Sequence, residues 1–262
     1  MFLGAGRMTS ALAGGLVKSG LKDKICAYDV SSEAVKAFSS STGVEAVVSD
    51  APKQFASGAD IIVLAVKPQY LREALAPLAG VLSDKLIVSI VAGVTLETLC
   101  VYTGAERIVR VMPNTPAQVG EGASAYAISA GVSEDDCAAV EIVLGAIGYF
   151  CRVPEKLMDA VTGLSGSGPA YVFSFIQALA DGGVHCGLPR DEALKLAAQT
   201  VLGAAKMLLE TGEHPAVLCD AVTSPGGTTS RGLAALEENS FRSTVAGAVI
   251  AAAERSAELG KK

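Results

Sequence analysis

The stretch Ser224-Pro225-Gly226-Gly227-Thr228-Thr229 packs two glycines and three hydroxyls into six residues. It lies between helical patterns at 215–222 and 230–238 and opens the second of them. Gly226 and Gly227 can adopt backbone angles closed to other residues, and they put no side chain between the main chain and a ligand. Their amides, with those of Thr228 and Thr229, can converge at a helix N-terminus, where the dipole favours an anion. The adjacent hydroxyls add neutral donors and acceptors beside it. Capture of a small carboxylate is the chemistry this suits. A tight turn with Ser or Thr as the N-cap would account for the same residues without a ligand.

A second constellation opens the chain. Met-Phe-Leu leads into Gly4-Ala5-Gly6-Arg7-Met8, with Thr9 where a third fingerprint glycine would stand. A Gly-x-Gly run between a strand and a helix brings the backbone close to a pyrophosphate. The first strand pattern has only three residues, which predicts that the native chain begins a few residues earlier. Asp29 closes a strand pattern at 24–28, where a dinucleotide fold places an acid on the adenine ribose. A carboxylate there favours NADH, because a 2′-phosphate would meet like charge. Ser31 and Ser32, with Lys22, Lys24 and Lys36 near in sequence, suit a phosphate. Both NADPH and NADH stay open. As a plain alternative, Asp29 reads as a turn or cap residue.

These groups need a scaffold, and strand and helix patterns alternate to supply one. Helices at 11–19, 32–40, 50–57, 70–79 and 96–101 separate strands at 24–28, 45–48, 60–65, 86–90 and 108–112. Thr95 is placed to cap the helix at 96–101. Strands at 123–128 and 148–153 then flank a helix that starts on a capping box, Ser133-Glu134-Asp135-Asp136. The alternation predicts an α/β Rossmann domain, doubly wound with a mostly parallel sheet, over 1–153. Open α/β sheets bind ligands outside the carboxyl ends of their strands. Ala65-Val66-Lys67-Pro68, Ala92-Gly93 and Pro113-Asn114 fall at such ends. Lys67 reads equally as a cofactor contact and as a solvated strand end. Asn114, between two prolines, reads first as a turn residue whose carboxamide can line a nicotinamide pocket.

After Pro154 the strand patterns stop, and helices at 155–164, 169–186, 190–211, 215–222, 230–238 and 241–259 predict an all-α domain over 154–262. The patterns at 171–187 and 244–253 are apolar on nearly every side and must be covered on every side. That predicts a subunit interface with helices of two chains interleaved. Ser165-Gly166-Ser167-Gly168 reads as a packed helix crossing rather than a hinge. The net charge of −6 argues against nucleic acid, and no apolar run reaches spanning length. Six cysteines scattered without a Cys-x-x-Cys pair predict neither a disulfide framework nor a zinc site. Reduced thiols and the lack of a leader pattern point to the cytoplasm.

Several blocks together resemble the pyrroline-5-carboxylate reductase family. They are Gly4-Ala5-Gly6-x-Met8, Ala65-Val66-Lys67-Pro68, Val109-Arg110-Val111-Met112-Pro113-Asn114-Thr115-Pro116 and Ser165-Gly166-Ser167-Gly168-Pro169-Ala170-Tyr171, then Gln199-Thr200, the run from Ser224 to Thr229, Gly232-Leu233 and Leu236-Glu237. The resemblance implies reduction of 1-pyrroline-5-carboxylate to L-proline by NADPH or NADH, in an intertwined dimer and often a ring of five dimers. It implies a substrate site of Ser224, Gly226, Gly227, Thr228 and Thr229. The amides of Gly227, Thr228 and Thr229 would hold the carboxylate, and the catalytic Thr229 hydroxyl would face the ring nitrogen. It implies a cofactor site of Gly4, Ala5, Gly6, Arg7, Met8, Asp29, Ser31, Ala65, Val66, Lys67, Pro68, Ala92, Gly93, Pro113 and Asn114. The family commonly prefers NADPH, and Asp29 departs from that pattern. Two other functions fit parts of the chain: a β-hydroxyacid dehydrogenase using Lys195 as acid-base, and a non-catalytic NAD(P)-binding sensor.

Overall fold

The computed structural model describes residues 1–22, 25–47 and 52–260. It forms two compact units, Met1–Ser167 with Ala251–Lys262, and Gly168–Ile250. Lys24, Val48 and Asp50, which the sequence patterns include in strands or a helix, lie outside the described residues.

In the first unit an eight-stranded sheet carries the ligand-binding loops. Its strands are β1 (Phe2–Leu3), β2 (Ala27–Tyr28), β3 (Ala46–Val47), β4 (Ile61–Leu64), β5 (Leu86–Ser89), β6 (Ile108–Met112), β7 (Gly122–Ile128) and β8 (Gly148–Arg152). They lie in the order β3-β2-β1-β4-β5-β6-β7-β8, so the winding reverses between β1 and β4. Every neighbouring pair is parallel except β6 and β7. Those two are joined by a 3-10 turn at Thr115–Val119, too short for the crossover a parallel pair requires. Apolar residues alternate between the faces, as the two-residue strand period demands. Phe2, Val88, Val109 and Tyr126 enter one core cluster, while Leu3, Ile87, Ile108 and Ala127 enter the other.

The helices of this unit are α1 (Arg7–Lys18), α2 (Ser32–Thr42), α3 (Pro52–Ser57), α4 (Leu71–Leu75), α5 (Leu96–Thr103), α6 (Glu134–Gly145) and α7 (Met158–Val161). The single helix expected over 70–79 is instead α4 between 3-10 turns at Pro68–Tyr70 and Ala76–Leu78. Pro77 lacks the N–H that would continue an α-helix. The helix expected over 155–164 is likewise divided into a 3-10 turn, α7 and a π turn at Thr162–Gly166. Met112 packs where a Gly166 side chain would be, whereas nothing lies within 4 Å of where a Gly168 Cβ would stand, so the stretch is packed at Gly166 alone of its two glycines.

The second unit is helical: α8 (Gly168–His185), α9 (Arg190–Thr211), α10 (Pro215–Ala221), α11 (Thr228–Glu238) and most of α12 (Phe241–Leu259). Its buried core is Ala180, Ala193 and Ala197, with Ile176 and Val184 packed on them. Phe173, Leu202 and Leu209 stay exposed, so a single copy leaves much of its apolar surface in water. By packing, the first compact unit runs to Ser167. Met158 enters the sheet's core, and the Ser256 hydroxyl on returning α12 donates to Asp159 at 2.7 Å. Among the described residues no helix is long and apolar enough to cross a membrane. All six cysteines are free.

The capping box of α6 is built with Asp136 in the acid position. Its N–H donates to the Ser133 hydroxyl at 3.1 Å, and its carboxylate accepts the Ser133 N–H at 3.0 Å. Arg107 donates to both carboxylate oxygens, its Nε at 3.1 Å. The Arg107 guanidinium, with Ser133 and against the effect of burial, brings the Asp136 carboxyl down to about 2. A carboxyl depressed by folding stabilises the native state above its ordinary value and loses that contribution as pH falls through the folded value. Asp136→Asn should therefore cost about 1–2 kcal/mol at neutral pH. The gap from the parent protein should close between about pH 4 and 2 in urea unfolding.

Candidate functional site

Gly4 leaves β1 at φ +110°, and its Cα side faces the β4 end so closely that an added Cβ would lie 2.7 Å from the Ala65 carbonyl oxygen. The Ala65 N–H in turn donates to the Leu3 carbonyl at 2.8 Å. Ala5 follows, buried, and its N–H donates to Asp29 Oδ2 at 2.8 Å. Asp29 Oδ1 accepts the Ser31 N–H, also at 2.8 Å. The acid at the end of β2 is thus fixed to both the glycine loop and the start of α2. Ser31 caps that helix, its hydroxyl accepting the Ala34 N–H at 3.2 Å.

Gly6 is the N-cap of α1, in extended geometry, with no side-chain cap and no acid in the first turn. Nothing lies within 4 Å of where a Gly6 Cβ would stand. The bare amides and open approach fit a diphosphate at the helix N-terminus. A groove of about 810 Å³ runs from Ala5, Gly6 and Arg7 along α1 to Lys18, with Ser31 and Glu33 of α2 on its other wall. Met8 is half-buried beside the loop. Thr9 is buried with its hydroxyl unpartnered.

The other expected cofactor residues share this sheet edge, at the carboxyl ends of β4, β5 and β6. Ala65 and Val66 are half-buried; Lys67 is exposed and begins the 3-10 turn that contains Pro68. Ala92 is exposed, and Gly93 is left-handed at φ +74°. Pro113 and Asn114 are buried. The Asn114 carboxamide is committed to the fold: Nδ2 donates to the Ser165 carbonyl at 3.1 Å, and Oδ1 accepts the Ala123 N–H at 2.8 Å. A further brace escaped the sequence patterns. Glu155 Oε1 accepts the Leu96 N–H at 2.7 Å and an Arg110 N–H at 3.0 Å, tying the start of α5 to β6.

In the helical unit, Ser224 to Gly227 form a tight turn. The Gly227 N–H donates to the Ser224 carbonyl at 3.1 Å, with Pro225 second and Gly226 third at φ +67°. That is the residue pattern of a type II turn. Gly227 is the N-cap of α11, extended, with no side-chain cap and no acid in the first turn. The alternative of a Ser or Thr cap is thereby set aside. So is the expected helix start at Ser230, because Thr228 and Thr229 are already inside the first turn. Within the turn the Gly227 N–H is engaged by the Ser224 carbonyl. Thr228 is exposed and Thr229 half-exposed. The Ser224 side chain packs where a Gly227 side chain would be, so the pair shapes the corner. Lys195, the alternative acid-base, is exposed on α9 and ion-paired to Glu192 at 3.2 Å. No group of three or more His, Cys, Asp or Glu stands together among the described residues.

Two family models match the chain. One, described as pyrroline-5-carboxylate reductase dimerisation, covers residues 155–259. The other, described as NADP oxidoreductase, coenzyme F420-dependent, covers residues 1–93. The pyrroline-5-carboxylate reductase of Arabidopsis thaliana is 48% identical over 99% of this chain and 95% of its own length. That of Escherichia coli K12 is 44% identical over 99% and 97%. Among solved structures, the Plasmodium falciparum pyrroline carboxylate reductase with NADP bound has a TM-score of 0.87 at 38% identity, covering 99% of this chain and 97% of that one.

The seating of Gly4 against β4 makes it intolerant of any side chain. Gly4→Ala adds a Cβ at 2.7 Å from a backbone oxygen, at a φ that L-residues rarely adopt. A loss of about 2–4 kcal/mol in urea unfolding is expected. An unaltered midpoint would contradict that packing.

Proposed function

This chain belongs to the pyrroline-5-carboxylate reductase family, and we propose that it reduces 1-pyrroline-5-carboxylate to L-proline with NADPH or NADH, the final step of proline biosynthesis. The observation that carries the reading is the bare N-terminus of α11 beneath the Gly226-Gly227 corner. There the amides of Thr228 and Thr229 hold the substrate carboxylate, and the helix dipole adds its preference for negative charge. Ser224 and Gly226 fix the turn. Gly227 contributes a cap position without a side chain.

The reduced nicotinamide supplies a hydride when bound. Gly4, Ala5, Gly6, Arg7 and Met8 would hold its diphosphate, and Asp29 and Ser31 its adenosine end. Ala65, Val66, Lys67, Pro68, Ala92, Gly93, Pro113 and Asn114 would line the rest along the carboxyl edge. A 1-pyrroline nitrogen accepts a proton from water on or before binding, which makes the C=N carbon a strong electrophile. The Thr229 hydroxyl then needs only to hold that nitrogen in place through a hydrogen bond. No general base is required of this chain. Orientation of bound reactants can supply up to about 7–11 kcal/mol of the acceleration. Residues 155–259 match the dimerisation model, and we extend this self-association to interleaved helices and a ring of five dimers in the cytoplasm. The exposed Phe173, Leu202 and Leu209 support such a covered surface.

Mixing the protein with 1-pyrroline-5-carboxylate and either reduced coenzyme should consume the coenzyme's absorbance. Coenzyme binding without turnover would replace this reading with that of a sensor. Thr229→Val should lower kcat/KM by about tenfold or more, the loss of one hydrogen bond to a charged group. Unchanged kinetics would remove Thr229 from the site.

A further inference from the structure

We propose that Asp29 makes this chain select NADH over NADPH, an inference that rests on the reductase reading above. Asp29 stands at the carboxyl end of β2, next to β1, on the side of the winding reversal where a dinucleotide fold seats adenosine. Each of its oxygens already accepts one main-chain N–H at 2.8 Å, from Ala5 and from Ser31. Each therefore retains a lone pair for a ribose hydroxyl, which can donate. A ribose 2′-phosphate offers negative charge in place of that donor. The carboxylate cannot rotate aside without breaking two charge-assisted bonds that also anchor the glycine loop and α2.

Among the described residues, no cation follows Asp29 on the loop into α2, where it would meet a 2′-phosphate. The next residue, Val30, is uncharged and 82% exposed. The Ser31 hydroxyl accepts the Ala34 N–H and keeps its own proton to donate, but it carries no charge to offset a phosphate. Glu33, also in the first turn of α2, adds a second negative charge to the groove. Arg7 occupies the first position of α1, beside the diphosphate site, and Lys18 lies about 16 Å further along that helix. The Lys22 ammonium approaches Gly43, at the opposite end of α2. Lys36 is exposed and is not part of the groove wall.

Titration calorimetry with NADH and with NADPH, in the absence of substrate, tests this directly. The parent protein should bind NADH about tenfold or more tightly than NADPH. Asp29→Ser should erase most of that ratio. Val30→Arg keeps both backbone bonds to Asp29 and should narrow the ratio by tightening NADPH, so the test survives if Asp29→Ser unfolds. A parent protein that binds NADPH as tightly as NADH, or a ratio unmoved in the Val30→Arg protein, overturns the inference. Initial rates with both coenzymes separate this outcome from failure of the parent reading. Turnover that prefers NADPH sinks only the selectivity, whereas turnover with neither coenzyme sinks the reductase reading and the selectivity together.

Discussion

Helix N-termini present amides that have no partner within the helix, and this chain handles them in two ways. At α2, α5, α6 and α10 the side chains of Ser31, Thr95, Ser133 and His214 accept a first-turn N–H. At α9, which has no such cap, Asp191 and Glu192 set negative charge in the first turn. At α1 and α11 neither device is present, and glycine is the N-cap of each in nearly the same extended geometry. Leaving the amides to water forgoes roughly 1 kcal/mol of capping at each helix. The gain is an anion site whose donors are already aligned. A diphosphate and a carboxylate are the two anions that the proposed reaction brings to the protein.

Bare amides are useful only if the loop that presents them is held still. For α1 the hold is tertiary: Gly4 lies against the Ala65 carbonyl, and Asp29 clasps Ala5. For α11 it is local: a tight turn closes on itself through Ser224 and Gly227. The difference shows in what each residue can do besides binding. Asp29 is at once a brace and, in the proposed selectivity, the group that faces an adenosine ribose, so substituting it would change selectivity and loop order together. Val30, free of bracing, separates the two effects. Ser224 braces its loop while leaving the Thr228 and Thr229 amides for the ligand.

Local patterns were legible where local forces decide. The bounds of β6, α9 and α12 follow from hydrophobic runs ended by turn residues, and the caps at Thr95 and Ser133 stand where expected. The acid of the cofactor site was legible from its spacing after Gly6. Its grip on Ala5 was not, because a hydrogen bond across 24 residues leaves no local trace. Asn114 looked like a turn residue with a side chain to spare; contacts with Ala123 and Ser165 use both ends of its carboxamide. Propensity also misled at α11, since two threonines are poor helix formers and a start at Ser230 was the local expectation. The tight turn through Ser224 and Gly227 sets the N-cap at Gly227, so the helix begins two residues sooner and both threonines lie in its first turn.

The helical unit shows the same logic at the level of packing. Three alanines are a small core for a unit of this length, and alanine contributes little apolar area when buried. Its larger side chains, Phe173, Leu202 and Leu209 among them, point into solvent in one copy. Such a surface is unfavourable alone and favourable once a second copy covers it, so folding and association of this half are linked. That linkage bears on the carboxylate site. The turn before α11 is held by its own hydrogen bond, whereas the helices on either side of it bury no residue in a single copy. On the proposed reading, order at the corner before α11 is then coupled to association, and dilution that separates the subunits would loosen it.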